Sequence, residues 1–392
     1  MSDDPRQLSL IAADGATAAR LGRPFDPARL TQARSLAALT KAELASSVGV
    51  SPAAIGQFEA GAAAPRPEVL AKIADTLEQT PAFFLPGRPH ARLDASMAHF
   101  RSLRSTRVRQ RAKAVAFVEQ VWELQYALEK RIALPPVDLP GYGDGADSLA
   151  GADPLQAAKW VRQRWALPPG PLTHLVRTLE VRGVIVTLLS LKDDSGDVDE
   201  TGARSRIDAF STSRLPRPII VLTADRANDV YRSRFTAAHE LGHLLLHRDV
   251  TPGDLEQERE ANRFAAELLT PTEQIAPELS TRVRLSALQR TAQRWGVSAQ
   301  SLVLRSRELG LISEVSARRA YQKLHDLQRS GATAPEPITS YPGETPSMMR
   351  KAYELAETHG LTLEALGREL AWPVERVTAL IDVDPRPRLR LA

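Results

Sequence analysis

The chain contains no cysteine among its 392 residues. That excludes disulfides, thiolate zinc sites and a cysteine nucleophile, and leaves histidine and carboxylate as the strong metal ligands. No run approaches the ~18 apolar residues of a membrane span. The opening MSDDPRQLSLIAADG has neither a basic n-region nor an apolar h-region, so the reading is cytoplasmic, with no membrane partner. A surplus of one charge is missing too. Basic residues number 51 and acidic ones 47, for a net +4, too mild a balance to establish a nucleic-acid partner without local charge. What is present, 43% hydrophobic and 25% charged residues, is the mix of soluble globular chains and excludes wholesale disorder and fibrous repeats. At roughly 150 residues per domain, two or three domains are expected.

Punctuation along the chain suggests where they lie. Residues 1–22 show no periodicity and read as a flexible tail. Over 23–90 short helical segments broken by Gly49, Gly61 and Pro65 and closed by Pro81 and Pro86 form a compact helical domain. Residues 91–135 read as a connector, mostly one long helix from Ser105 to Leu134, stopped by Pro135 and Pro136. A Pro/Gly/Asp-rich linker covers 136–152. Asp153-Pro154 then opens a helix, beginning a domain over 153–326. Its β-rich runs at 183–188, 207–211 and 218–222 imply an α+β module with a small antiparallel or mixed sheet. Residues 327–346 read as a spacer unlikely to pack, and 347–392 as a small helical unit. The expected fold is mainly α: an all-α domain, an α+β module and a C-terminal helical unit.

The most informative stretch is Arg234-Phe235-Thr236-Ala237-Ala238-His239-Glu240-Leu241-Gly242-His243, which holds H-E-x-x-H in a helical pattern. Residues four apart lie about 6 Å along a helix and only ~40° around it, so both imidazoles can reach one ion while the intervening glutamate touches its water. Hydrolytic zinc takes three protein ligands and keeps one open position. Glu258, fifteen residues after His243, is the candidate third ligand. Asn262 lies one turn beyond it, where it could hydrogen-bond an imidazole and fix its orientation. Glu260 points elsewhere on that helix. His247 is roughly 12 Å up the axis from His239, too far to share the ion, and reads as a helix-end or surface residue. The metzincin motif would need glycine and histidine where this chain has Leu246 and Asp249. For an oxyanion-stabilising group, Tyr231, Arg232 and Arg234 are the nearest guesses.

RFTAAHELGHLLLH followed by EREANRFAAELLTP resembles the ImmA/IrrE family of zinc metallopeptidases. The likeness spans about 155–312 and includes the IDAFS strand (207–211) and WGVSAQSLVLRSRELGLIS (295–313). It implies a gluzincin-like zinc domain with a small sheet, Zn2+ on His239, His243 and Glu258, and Glu240 as the general base. Thr270 is a departure, since family members often carry methionine there.

Residues 40–61 show a helix, a turn centred on Gly49 and a second helix with Pro52 in its first turn. Leu44, Ala45, Val50 and Ile55 would pack the pair together, leaving Ser51, Ala53, Ala54 and Gln57 to face a major groove. The stretch 25–87 is similar to the Xre/Cro repressor-like helix-turn-helix domains. The second helix carries no lysine or arginine, and residues 23–87 hold six basic and six acidic residues. Direct readout then rests on Gln57, able to bond adenine bidentately, and on Ser51. Phosphate contacts are expected from Lys41, Arg34, Arg66 and the Arg101–Lys113 stripe, and a homodimer would double them. Helix-turn-helix-like pieces at 294–311 and 361–381 read as packing or substrate-docking units, with Trp295 and Trp372 as core anchors.

Together these features imply a DNA-binding zinc-dependent endopeptidase. Its partners would be operator DNA and a regulatory protein substrate, plausibly another helix-turn-helix repressor, cleaved to switch transcription in a stress, mobile-element or defence response. The alternatives are a regulator whose zinc domain senses rather than cleaves, and one half of a toxin–antitoxin pair.

Overall fold

The computed structural model describes residues 25–91, 93, 99–100, 108–142, 148–189, 209–224, 227–248, 254–330, 337–341 and 343–381. The tail expected over 1–22, half of the Arg101–Lys113 stripe and the start of the 207–211 strand lie outside the described residues. The described residues within Met1–Ala95, Thr106–Leu134 and Met349–Val383 form one compact unit, and those within Ser96–Ser105 and Pro135–Met348 another.

The first unit opens with α1 (Pro27–Leu36), α2 (Lys41–Val48), α3 (Pro52–Glu59) and α4 (Pro67–Thr76). Their starts are written locally. Asp26 caps α1, a Thr40/Glu43 capping box opens α2, and Ser51 caps α3 with Pro52 behind it. Gly49, at φ 75°, ends α2 in the left-handed conformation that glycine tolerates best. Next comes α5 (Val108–Glu129), which ends before the expected Leu134 because the chain turns at Lys130 and Arg131; residues 105–107 lie outside those described. It is no bare connector. Val115, Phe117, Val118, Val121 and Leu124 are buried on it, and its Glu123 is ion-paired with the fully buried Arg29 of α1.

In the second unit β1 (His99–Phe100), β2 (Ile185–Leu189), β3 (Ala209–Thr212) and β4 (Ile219–Thr223) form a sheet ordered β1-β3-β4-β2. It is mixed, as β2 runs parallel to β4 while β3 is antiparallel to both β4 and β1. Around it lie α6 (Pro154–Arg164), α7 (Leu175–Val181), α8 (Val230–Leu246), α9 (Leu255–Leu269) and the short α10 (Thr272–Ile275). Helix α8 contacts β3, β4 and α9, and Ala237, Ala238, Leu241 and Leu244 are fully buried on it. Then follow α11 (Leu285–Trp295), α12 (Ala299–Glu308) and α13 (Glu314–Arg329), with Trp295 in the core as expected.

Two stretches read as linkers pack here instead. Leu139 and Tyr142 join the main core. From the supposed spacer, Ile338 is buried against Ala227 and Val230, and the Glu344 carboxylate accepts from Leu175 N at 2.9 Å and Val176 N at 3.2 Å. Those are amides of α7's first turn, groups a helix leaves without internal partners.

The chain then returns to the first unit as α14 (Met348–Thr358), α15 (Leu363–Leu370) and α16 (Val374–Ile381). This stretch, expected as a unit of its own, is tied to the helices already described. Thr80 Oγ1 donates to Ala371 O at 2.6 Å, Arg376 to Gln120 Oε1 at 2.7 Å, and Lys130 and Arg131 pair with Glu369. Trp372 is 2% exposed.

Candidate metal centre

Helices α8 and α9 build the site, and Gly242 lets them meet. A Cβ there would stand 3.2 Å from Ala261 Cα and 3.1 Å from Phe264 Cδ1, tighter than ordinary van der Waals contact, so a glycine suits this close approach of the two helices. Asp229 caps α8 by accepting from Arg232 N, and Asp254 caps α9 by accepting from Glu256 N. Glu258 stands in the first turn of α9, where the helix dipole favours its ionised form.

His239 Nε2 and His243 Nε2 lie 3.0 Å apart. Glu258 reaches both, Oε2 at 3.4 Å from His239 Nε2 and Oε1 at 3.4 Å from His243 Nε2. All three ligand atoms fall within 4.8 Å of one another. Both rings are buried, while the Glu258 side chain keeps 23% of its surface. His239 Nδ1 is 3.0 Å from Asn262 Oδ1. An amide oxygen only accepts, so Nδ1 holds the proton and Nε2 turns a lone pair inward.

Burial holds His243 at about 4, below its ordinary 6.5, so the ring is neutral at pH 7. Electron-pair donors thus face each other at close range, an arrangement that fits a divalent cation between them.

Glu240 is fully buried one residue along from His239. Its Oε2 accepts from Ser211 Oγ at 2.7 Å, so β3 contributes to the site. Sequence reasoning placed the strand but not this contact.

Residues 186–307 match the peptidase-family model described as the IrrE N-terminal-like domain, and residues 30–84 match a helix-turn-helix model. The chain fuses these two domains. No curated protein matches it. The IrrE-like match covers β2 to α12 and so contains the whole His239–His243–Glu258 cluster, which supports a metallopeptidase-type domain.

Other expectations for the IrrE-like domain need correction. His247 is no surface residue: it caps the end of α8 at 3% exposure. Its Nδ1 lies 2.9 Å from His243 Nδ1, and its Nε2 2.8 Å from Glu260 Oε2. The i, i+4 spacing from His243 was the available signal, since it stacks the rings on one face. Arg234 is not an oxyanion candidate, because it is buried and donates to Gly296 O, Leu172 O and Glu344. Tyr231 OH is 2.9 Å from Tyr341 OH.

In the helix-turn-helix domain, Ser51, Ala53 and Gln57 are exposed on α3, and Ala54 is half-buried. The Ser51 hydroxyl accepts from Ala54 N as the helix cap. Lys41 is half exposed and 3.3 Å from Glu59 Oε2. Arg34 is withdrawn from phosphate contact, its guanidinium engaging both oxygens of Glu59 and Leu39 O. Arg66 is exposed, and Arg109, within the stripe, pairs with Glu43.

Proposed function

We propose that the chain is a DNA-binding zinc-dependent endopeptidase that cleaves a regulatory, repressor-like protein to switch transcription. The observation carrying this reading is the convergence of His239, His243 and Glu258 beside a buried Glu240. In it, His239, His243 and Glu258 would hold the metal. Bound zinc supplies Lewis-acid chemistry, polarising a carbonyl and making water acidic enough to ionise near neutrality.

The chain's own groups do the rest. Glu240 takes the proton of the attacking water and delivers it to the leaving amine. Ser211, donating to Glu240 Oε2, aims the carboxylate, and Asn262 fixes the His239 ring. In the helix-turn-helix domain, Gln57 reads a base edge, with Ser51, Ala53 and Ala54 beside it and Lys41 nearest the phosphates. The likeness to ImmA/IrrE peptidases supports a repressor as substrate, and a DNA-binding domain in the same chain would hold the peptidase near its target.

The test incubates zinc-loaded protein with the protein encoded beside it, in parallel with Glu240→Gln. Cleavage by the wild type and none by the variant, with equal zinc content, is expected. Cleavage by both, or by neither while operator binding persists, would defeat the enzyme reading.

A further inference from the structure

Two nitrogens that face each other at 2.9 Å, as His243 Nδ1 and His247 Nδ1 do, hydrogen-bond only if one carries a proton and the other a lone pair. The far side of His247 decides which. Its Nε2 is 2.8 Å from Glu260 Oε2, and a carboxylate accepts, so a neutral His247 carries its single proton on Nε2 and accepts at Nδ1. His243 must then donate from Nδ1, which leaves the lone pair of its Nε2 directed at His239 Nε2 and Glu258. The chain Glu260–His247–His243 thus selects the tautomer a metal requires of the second imidazole, as Asn262 does for the first. Helix α9 therefore supplies Glu258 to the cluster and, from Glu260 and Asn262, the outer ends of both orienting contacts. His247 is not a fourth ligand, for its Nδ1 is engaged on the side of the His243 ring opposite the cluster.

We propose that His247 and Glu260 are positioning residues of the metal centre, fixing His243 with its Nε2 lone pair inward so that metal binds tightly and in one geometry. The proposal rests on the metal-site reading above. Outer contacts of this kind are worth about 10–100-fold in metal affinity.

The experiment strips the full-length protein with a chelator. Zinc affinity is then measured by competition with a chromophoric chelator, and the visible absorption of the Co2+-substituted protein is recorded. Glu260→Ala removes the terminal acceptor at a side chain 34% exposed, so the fold should survive with an unchanged melting temperature. His247→Phe keeps the buried volume but removes the acceptor for His243. Both should bind zinc about 10-fold or more weakly and shift the cobalt band. Glu260→Gln, whose amide oxygen can still accept from His247, should recover most of the affinity. Wild-type affinity and an unaltered cobalt spectrum in Glu260→Ala and His247→Phe would overturn this proposal alone. A wild-type chain that binds neither zinc nor cobalt would overturn the metal reading with it.

Discussion

Arg234 lies in the first half of α8, before the two histidines, and joins three parts of the second unit. Its guanidinium donates to Gly296 O at 2.7 Å, to Leu172 O, and to the Glu344 carboxylate. The partners' side chains are 2% and 1% exposed. Replacing Arg234 with methionine keeps the stem but strands a buried carboxylate and two buried carbonyls. Removing one member of a buried pair costs about 3–5 kcal/mol, far more than the ~0–1 kcal/mol of an exposed pair. Taking about 4 kcal/mol, the unit should melt about 8–16 °C lower. Glu344→Gln keeps one acceptor for the α7 amides but loses the charge, and about 2–3 kcal/mol is expected. Because both substitutions break one network, the double variant should cost little more than Arg234→Met alone. Denaturant titration and calorimetry of the three variants decide the matter. A loss under about 1 kcal/mol for Arg234→Met, or strictly additive costs, would refute the reasoning.

The metal-free protein should lose stability as pH falls from 6.5 toward 4. His243 is held near 4 in the fold against an ordinary 6.5, so the unfolded chain binds the proton first. The stability is present above 6.5 and, at about 1.4 kcal/mol per pH unit, some 3 kcal/mol is gone near pH 4. Urea titrations in chelator at pH 7 and 4.5 check it, and equal midpoints would contradict it. Ser211→Ala should leave zinc content unchanged while lowering kcat about tenfold, since a hydrogen bond to a charged group is worth about 1.5–3 kcal/mol; steady-state kinetics on a cleaved substrate would test this, and an unchanged kcat would count against it. Gln57→Ala should weaken operator binding by about 1–3 kcal/mol, and Lys41→Ala by less, because Glu59 already pairs with that ammonium. Mobility shifts on the upstream DNA measure both, and equal losses would show that Gln57 does not read a base.

Where structure is decided within a few residues, it could be read in advance. Asp153-Pro154 and the Gly49 turn each act over three or four residues, and both mark helix ends where expected. The i, i+4 spacing of His239 and His243 likewise fixes their shared face. What escaped depends on partners far along the chain. Pro, Gly and Thr around Glu344 suggested a spacer, yet that carboxylate accepts from amides 169 and 168 residues away. Helix α5 looked like a connector because its buried ion pair needs Arg29, 94 residues earlier. His247 read as a helix-end or surface residue; it does end the helix, but its burial escaped because its carboxylate partner comes from the next helix. Within the second unit, the two-residue β1 had no local signature at all.

That short strand alters how the sheet of the second unit meets other polypeptides. His99 and Phe100 lie antiparallel to Ser211 and Phe210, so the border of the sheet nearest Glu240 is already lined by the protein's own backbone. A foreign chain seeking to extend the sheet there must evict a resident of only two residues. Such a latch, two residue pairs long, is cheap to open.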